Sequence, residues 1–170
     1  YKKIKTVFTI HNIQYQGKYG HELYADVLGL PEGRESLVEY DGCINLMKGG
    51  IQCADKITTV SPTYAKEILD PYYSHGLDSI LSQFTYKLTG IVNGIDYDVY
   101  DPETDPLIYR NFTVDTLADK AYNKSCLQKS LGLPERSDVP VIGMVTRLVS
   151  HKGIDLVKCV FEDMLKKGYA

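Results

Sequence analysis

The sequence predicts an α/β protein built around a Rossmann-like parallel sheet. Short apolar segments rich in β-branched residues alternate along the chain with segments whose apolar residues recur at helical spacing. Polar residues follow the predicted strands, and in open α/β sheets ligands bind at the carboxyl ends of the strands. The sequence therefore also predicts where a ligand site lies.

The composition argues against several classes of protein, namely nucleic-acid-binding, membrane and metal-binding proteins. The 170 residues carry a net charge of −3 and no dense run of Lys or Arg, so neither nucleic acid nor a membrane surface is an expected partner. No apolar stretch approaches the roughly 20 residues of a membrane span. The four cysteines form no CxxC pair, and the four histidines lack the HxxxH or HxxE spacing that indicates a metal site. We therefore expect a cytoplasmic protein without a metal or another cofactor.

The first predicted strand leads into a polar loop. Residues 4–10 alternate and are rich in β-formers, and the strand they predict ends at His11. The loop HNIQYQG (residues 11–17) follows. A histidine at the end of a buried strand is well placed for a ligand site, although a turn with an incidental histidine fits the pattern equally well.

Two helices are predicted in the first half of the chain. Residues 19–40 have a mixed pattern that predicts no regular element, whereas apolar side chains at helical spacing predict a helix over residues 45–54. Ser61 and Pro62 predict the start of a second helix, because serine is a favoured N-cap and proline is favoured at the first helical position. We expect that helix to end near residue 69.

Two further strands are predicted at residues 56–60 and 88–92. Asn93 and Gly94 follow the second of them, so Asn93 has the same kind of strand-end position as His11. An Asn-Gly pair is also an ordinary turn signal, and by itself it does not indicate a site. Residues 96–111 then contain prolines and five acidic residues and predict a linker.

The segment VPVIGMVTRLVSHKGIDLV (residues 139–157) predicts a strand, a loop and a helix. The strand is expected over residues 139–145 and the helix from Gly153. A separate helix is expected before this segment, capped by Thr113 or Asp115 and ending near residue 131. Arg147 and Lys152 would flank the loop, and two cations at a helix N-terminus form a site for an anion such as phosphate. Two solvated surface charges on a loop are the alternative, because most Arg and Lys side chains are exposed. The loop contains neither GxGxxG nor GxxxxGK[ST], so neither dinucleotide nor P-loop binding is supported.

Several of these segments together resemble the family of bacterial glycogen synthases and plant starch synthases. The matching motifs, in order along the chain, are HNIQYQG, ADKITTVSPTYAKEI, GIVNGIDYDVYDPETD and VTRLVSHKGIDL. The resemblance implies a two-Rossmann glycosyltransferase of the GT-B type with its active site in the interdomain cleft. It implies transfer of glucose from ADP-glucose to the non-reducing end of an α-1,4-glucan, with retained anomeric configuration, in glycogen biosynthesis.

The resemblance also implies roles for single residues. Arg147 and Lys152 match the basic pair that holds the donor diphosphate, and His11 matches the histidine beside the transferred sugar. Asn93 matches an asparagine that contacts sugar, and Asn12 is a weaker match for contact with the acceptor. His11, Arg147 and Lys152 are therefore the expected catalytic residues, and Asn12, Asn93 and the two cations the expected substrate-binding residues.

The resemblance implies a domain organisation as well. Residues 1–95 correspond to the later part of the N-terminal Rossmann-like domain, residues 96–138 to an interdomain linker and helix, and residues 139–170 to the first strand-helix unit of the C-terminal domain. A Lys-x-Gly-Gly loop and a glutamate-bearing motif of the family lie outside the sequence, so we expect the 170-residue chain alone to be inactive. We expect its C-terminal segment to pack on another copy or to be poorly ordered.

Two other functions remain open at this point. The first is another retaining sugar-nucleotide transferase, against which the HNIQYQG motif argues. The second is a non-catalytic module that binds glucan on the same scaffold. His11, Arg147 and Lys152 argue against that module, because a pure binding surface needs no site for a leaving group.

Overall fold

The computed structural model of the chain describes residues 3–168, except for the side chain of Ser150. The chain divides into two compact units, Tyr1–Gly94 and Ile95–Ala170. The strands of the first unit are β1 (Val7–Ile10), β2 (Lys18–Tyr19), β3 (Glu39–Tyr40), β4 (Cys43–Asn45), β5 (Lys56–Thr59) and β6 (Leu88–Gly90). Its α-helices are α1 (Leu46–Cys53), α2 (Pro62–Glu67) and α3 (Asp78–Gln83). The α-helices of the second unit are α4 (Lys120–Ser130) and α5 (Ile154–Lys166).

The first unit is organised around a three-stranded parallel sheet. Its strand order is β1-β5-β6, with β5 in the centre. Ile10 on β1 pairs with Thr59 on β5, which in turn pairs with Gly90 on β6, so the three strands end at the same level. The parallel α/β sheet that the sequence predicts is confirmed, and its strands β1, β5 and β6 lie within the ranges expected at residues 4–10, 56–60 and 88–92.

The core of the first unit is formed by apolar side chains from the sheet and the surrounding helices and loops. Ile57 from the central strand and Ile51 from α1 are fully buried within it. The complete buried cluster consists of Ile10, Ile13, Met47, Ile51, Ile57, Ile68, Leu77, Ile80 and Leu81. This packing explains why the apolar spacing of residues 45–54 predicts a helix correctly.

Side chains cap the first two helices. The Oδ1 atom of Asn45 accepts a hydrogen bond from the backbone N–H of Lys48 (3.0 Å), at the start of α1. The Oγ atom of Ser61 accepts one from the backbone N–H of Tyr64 (2.9 Å), and Pro62 is the first residue of α2. Both bonds satisfy N–H groups that have no partner within the helix. The predicted start of the second helix is confirmed.

Two lysines are buried in this unit and bind backbone carbonyl groups. Lys87 donates from Nζ to the carbonyl oxygens of Gln52 (3.1 Å) and Ala54 (2.6 Å) at the C-terminal end of α1, where a cation is favoured. Lys48 donates to the carbonyl oxygens of Ser36 and Glu39. Burial lowers the pKa of Lys48, against the opposing effect of the Glu39 carboxylate.

A second, antiparallel sheet lies where the sequence predicts no regular element. Its strand order is β2-β4-β3, and two of its strands are only two residues long. A strand of two residues has no periodicity that a sequence pattern can reveal. A π-helical turn (Tyr24–Leu28) and a 3-10 helix (Glu35–Leu37) lie in the same region.

The second unit contains no strand among its described residues. The expected strand over residues 139–145 is therefore wrong, although the helix expected after Gly153 is confirmed as α5. A strand needs a hydrogen-bonded neighbour, and the described residues of this unit offer no second strand to pair with. Its other helix, α4, begins at Lys120, after a 3-10 helix at Leu117–Asp119, and so starts later than the capping residues predict.

None of the helices in the described part of the chain combines the length and the apolar character that a membrane crossing requires.

Candidate functional site

His11 lies at the carboxyl end of β1, on a loop whose backbone is held from several sides. The side chain of His11 is exposed, whereas its neighbours Ile10 and Ile13 are buried in the core. The Thr59 hydroxyl donates to the Ile10 carbonyl oxygen (2.8 Å), and the Ile13 N–H donates to the Tyr64 hydroxyl (3.2 Å). The backbone on both sides of His11 is thus fixed while its imidazole faces solvent.

Asn12 shapes the same loop. Its Oδ1 atom accepts a hydrogen bond from the backbone N–H of Gln14 (2.9 Å), and its carbonyl oxygen accepts one from the N–H of Tyr15 (3.3 Å). A side-chain oxygen bound to the N–H two residues later forms an Asx turn. The local role of Asn12 is therefore to fold the loop, and its expected contact with an acceptor stays a prediction.

Asn93 lies at the same edge of the parallel sheet as His11. It follows β6 by three residues and is exposed, and the Ile91 N–H donates to the Thr59 carbonyl oxygen (2.8 Å), which prolongs the pairing of the two strands. Because β1 and β6 flank β5 in parallel, their carboxyl ends are two strand spacings apart, about 10 Å. The structure thus brings His11 and Asn93 to one edge of one sheet, as the strand-end argument predicts.

Arg147 and Lys152 lie on the segment that leads into α5. Both side chains are exposed. The segment is turned by hydrogen bonds from the Val149 N–H to the Arg147 carbonyl oxygen (2.9 Å) and from the Lys152 N–H to the Val149 carbonyl oxygen (3.0 Å). Gly153, with a φ of +71°, is the N-cap residue that precedes α5. Among the described residues neither cation forms an ion pair within 4.0 Å, so both positive charges are available to an anion near the helix N-terminus.

Across residues 3–168, no group of three His, Cys, Asp or Glu side chains is arranged to hold a metal ion. In the first unit, His11, Asn12 and Asn93 offer hydrogen bonds from an imidazole and from amides. In the second unit, Arg147 and Lys152 offer two positive charges near a helix N-terminus.

Known proteins match this chain along nearly its whole length. A family model described as the starch synthase catalytic domain matches residues 1–83. A glycogen synthase of Clostridium acetobutylicum is 53% identical over 168 residues, which is 97% of this chain and 35% of that protein. One from Bacillus cereus is 47% identical over 98% of this chain and 36% of that protein. The chain is a homologue of the glycogen and starch synthases.

The fold of the chain is also similar to that of a starch synthase whose structure has been solved. The catalytic domain of starch synthase IV from Arabidopsis thaliana, bound to ADP and acarbose, has a TM-score of 0.86 and 36% sequence identity over 97% of this chain and 35% of that chain. The predicted fold class, α/β with a Rossmann-like parallel sheet of the GT-B type, is confirmed. The chain spans about a third of the length of the synthases it matches.

Sequence reasoning missed the residues that hold the loop of this synthase homologue. Three residues outside the loop of residues 11–17 were not predicted as parts of the site, yet they hold it. Thr59 binds the carbonyl group of Ile10 just before the loop, Tyr64 binds Ile13, and Asn45 binds Gln16, whose part was not predicted either. Their partners lie far away in sequence, 49 residues for the bond between Thr59 and Ile10. The one available signal was position, since Thr59 ends the central strand.

Proposed function

We propose that the intact protein is a retaining glucosyltransferase that transfers glucose from ADP-glucose to the non-reducing end of an α-1,4-glucan in glycogen synthesis. The observation that carries the proposal is the 53% identity with a glycogen synthase over 97% of this chain. The ADP and acarbose bound to the related starch synthase support a nucleotide-sugar donor and a glucan acceptor. No cofactor enters the proposed reaction.

We propose that Arg147 and Lys152 bind the diphosphate of the donor. Breaking the bond between glucose and ADP places negative charge on the departing diphosphate. Positive groups that are fixed before the reaction stabilise this charge more strongly in the transition state than in the ground state. Their exposure and their position before α5 support this role, because the helix N-terminus adds partial positive charge at the same place.

We propose that His11, Asn93 and Asn12 contact the sugars. His11 would hydrogen-bond a hydroxyl of the transferred glucose and support the positive charge that develops at its anomeric carbon. Asn93 would contact the same sugar, and Asn12 the acceptor. The fixed backbone on both sides of His11 supports this role, since a rigid loop orients the imidazole before the substrate binds.

The domain assignment and the location are proposals of the same kind. Residues 1–95 would belong to the N-terminal Rossmann-like domain, residues 96–138 to the connection between domains, and residues 139–170 to the C-terminal domain. We propose the cytoplasm as the location, which the four free thiols Cys43, Cys53, Cys126 and Cys159 support because cytosolic proteins keep cysteines reduced.

The test of the proposed function is glucan elongation by the purified intact protein, with ADP-glucose and UDP-glucose compared as donors. We expect incorporation of glucose with ADP-glucose and a much lower rate with UDP-glucose. Preference for UDP-glucose would favour the alternative of another retaining transferase. Glucan binding without transfer from either donor would favour the non-catalytic module, particularly if binding survives replacement of Arg147 and Lys152 by alanine.

We further propose that this 170-residue chain self-associates when it is purified alone. The second unit exposes large apolar side chains on α5 and on the segment before it, namely Val145, Leu148, Leu156 and Phe161. Exposed apolar surface of this kind favours association. Sedimentation equilibrium should show dimers or larger species, and the variant Leu148→Lys should shift the distribution toward monomer. A monomer at all concentrations would contradict the proposal.

A further inference from the structure

A chain of hydrogen bonds between buried amide groups links the loop of residues 11–17 to α1 and to a distant turn. The Asn45 side chain accepts from the Lys48 N–H (3.0 Å) and donates from Nδ2 to the Gln16 Oε1 atom (2.7 Å). Gln16 in turn donates from Nε2 to the carbonyl oxygen of His75 (3.0 Å). Asn45 is fully buried and Gln16 is 5% exposed.

From this arrangement we propose that Gln16 is a positioning residue, which holds the loop so that His11 points correctly at the transferred sugar. The inference rests on the proposed function, because it assigns Gln16 a part in glucosyl transfer. Gln16 itself does not touch the substrate in this account. It acts through the loop backbone that carries His11, five residues earlier in the sequence.

The direction of the hydrogen bonds allows only one orientation of each amide. The Lys48 N–H can only donate, so it fixes Oδ1 of Asn45 as an acceptor and turns Nδ2 toward Gln16. Nδ2 then requires the oxygen of the Gln16 amide, which leaves the Nε2 donor facing the His75 carbonyl oxygen. A flipped amide would place two donors or two acceptors against each other. The chain of bonds is therefore rigid, as is expected of a buried network in which every polar group has a partner.

Backbone bonds tie the same part of the loop to α1. The Met47 N–H donates to the Gln16 carbonyl oxygen (2.9 Å), and the Leu46 N–H donates to the Gly17 carbonyl oxygen (3.1 Å). These bonds remain when the Gln16 side chain is changed. The side chain therefore contributes one specific connection beyond them, from the loop to the turn that contains His75.

That turn provides a matched control. His75 has a positive φ of 50°, and its neighbour Gly76 accepts a hydrogen bond at its carbonyl oxygen from the Tyr40 hydroxyl (2.8 Å). Tyr40 thus anchors the same turn one residue further on, without a hydrogen bond to the loop of residues 11–17. Loss of the Tyr40 hydroxyl should loosen the turn and leave His11 in place.

The experiment compares Gln16→Met, Gln16→Glu and Tyr40→Phe in the intact protein. Gln16→Met keeps the length of the side chain and loses both hydrogen bonds, and we expect kcat to fall about 10-fold or more with little change in KM for ADP-glucose. Gln16→Glu keeps an acceptor for Asn45 but sets a carboxylate oxygen against the His75 carbonyl oxygen at a buried position, so its kcat should fall at least as much. Tyr40→Phe should keep the wild-type kcat. Hydrogen exchange should be faster in residues 11–17 of the Gln16 variants and unchanged there in Tyr40→Phe.

Equal losses of kcat in Gln16→Met and Tyr40→Phe would overturn the inference, because both would then report only a weaker turn. Wild-type kcat in both Gln16 variants would overturn it as well. If Gln16→Met does not fold, Gln16→Glu decides on the same criteria. If the wild-type protein transfers no glucose, the proposed function fails and the exchange measurement decides the positioning role: faster exchange confined to the Gln16 variants supports it, and equal exchange in all variants refutes it.

Discussion

Replacing both Arg147 and Lys152 with alanine in the intact protein is expected to lower kcat/KM for ADP-glucose by about 1,000-fold or more. The loss of one preorganised group that stabilises developing negative charge typically costs about 100- to 1,000-fold, and this variant removes two. The two cations are exposed and lie just before α5, and within the described residues no carboxylate pairs with them. Initial rates at saturating glucan, over a range of ADP-glucose concentrations, measure the effect.

Lys158→Ala is the control for this double variant. Lys158 is an exposed cation on α5, six residues beyond Lys152 in the sequence. Its replacement by alanine removes a positive charge without changing the N-terminus of the helix. We expect its kcat/KM to equal that of the wild type. If Lys158→Ala lost as much activity as the double variant, general electrostatic attraction of the donor would explain the result, and a specific diphosphate site would be contradicted.

Replacing Gly90 with alanine is expected to destabilise the first unit by about 3 kcal/mol, near the upper end for inserting a methyl group into a packed site. A Cβ atom at this position would overlap the carbonyl group of Ser61 and the nitrogen of Pro62. These are backbone atoms at the start of α2, so neither can rotate away from the added methyl group. Strand β6 can approach the start of α2 only because residue 90 has no side chain.

The measurement is the free energy of unfolding from urea titration of the purified chain. Gly94→Ala is the matched control, because a Cβ atom there would have no neighbour within 4 Å. A substitution at such an open position should change the free energy of unfolding by less than about 0.5 kcal/mol. Similar values for the two variants would show that the contact between β6 and α2 is looser than the structure indicates.

Local patterns predicted the parts of the fold whose causes are local. The parallel strands β1, β5 and β6 are short runs rich in β-formers, and the apolar spacing of α1 matches the face that it buries. Ser61 and Pro62 mark the start of α2 with a hydrogen bond and a fixed φ that depend only on neighbouring residues. These elements could therefore be located before the structure was known.

Elements that depend on distant residues could not be located in this way. The sheet of β2, β3 and β4 is held by pairing between strands of two or three residues, too short to show alternation. At residues 139–145 the prediction was wrong in the other direction, because a strand was expected and none is present. The composition of this segment favours a strand, but the described part of the second unit provides no neighbouring strand for it. A sequence pattern indicates which secondary structure a segment favours. It does not show whether a partner strand is available, because that strand lies elsewhere in the sequence.

In the candidate site, too, positions set by local patterns could be predicted, and contacts with distant residues could not. His11 and Asn93 were predicted as strand-end residues, and the parallel sheet brings them to one edge as that argument requires. Gln16 was read only as part of a polar loop, because its role depends on the carbonyl group of His75, 59 residues away. The roles of Arg147 and Lys152 stay predictions that the double variant tests, and the roles of His11, Asn12 and Asn93 stay predictions as well.

The central claim, elongation of an α-1,4-glucan from ADP-glucose, is tested most directly by following the position of the transferred glucose. The intact protein is incubated with ADP-[14C]glucose and an unlabelled glucan, and the purified product is digested with β-amylase, which removes maltose from non-reducing ends by cleaving α-1,4 linkages. The account predicts incorporation of label and its early release as labelled maltose. No incorporation, or labelled product that resists the enzyme, would contradict it.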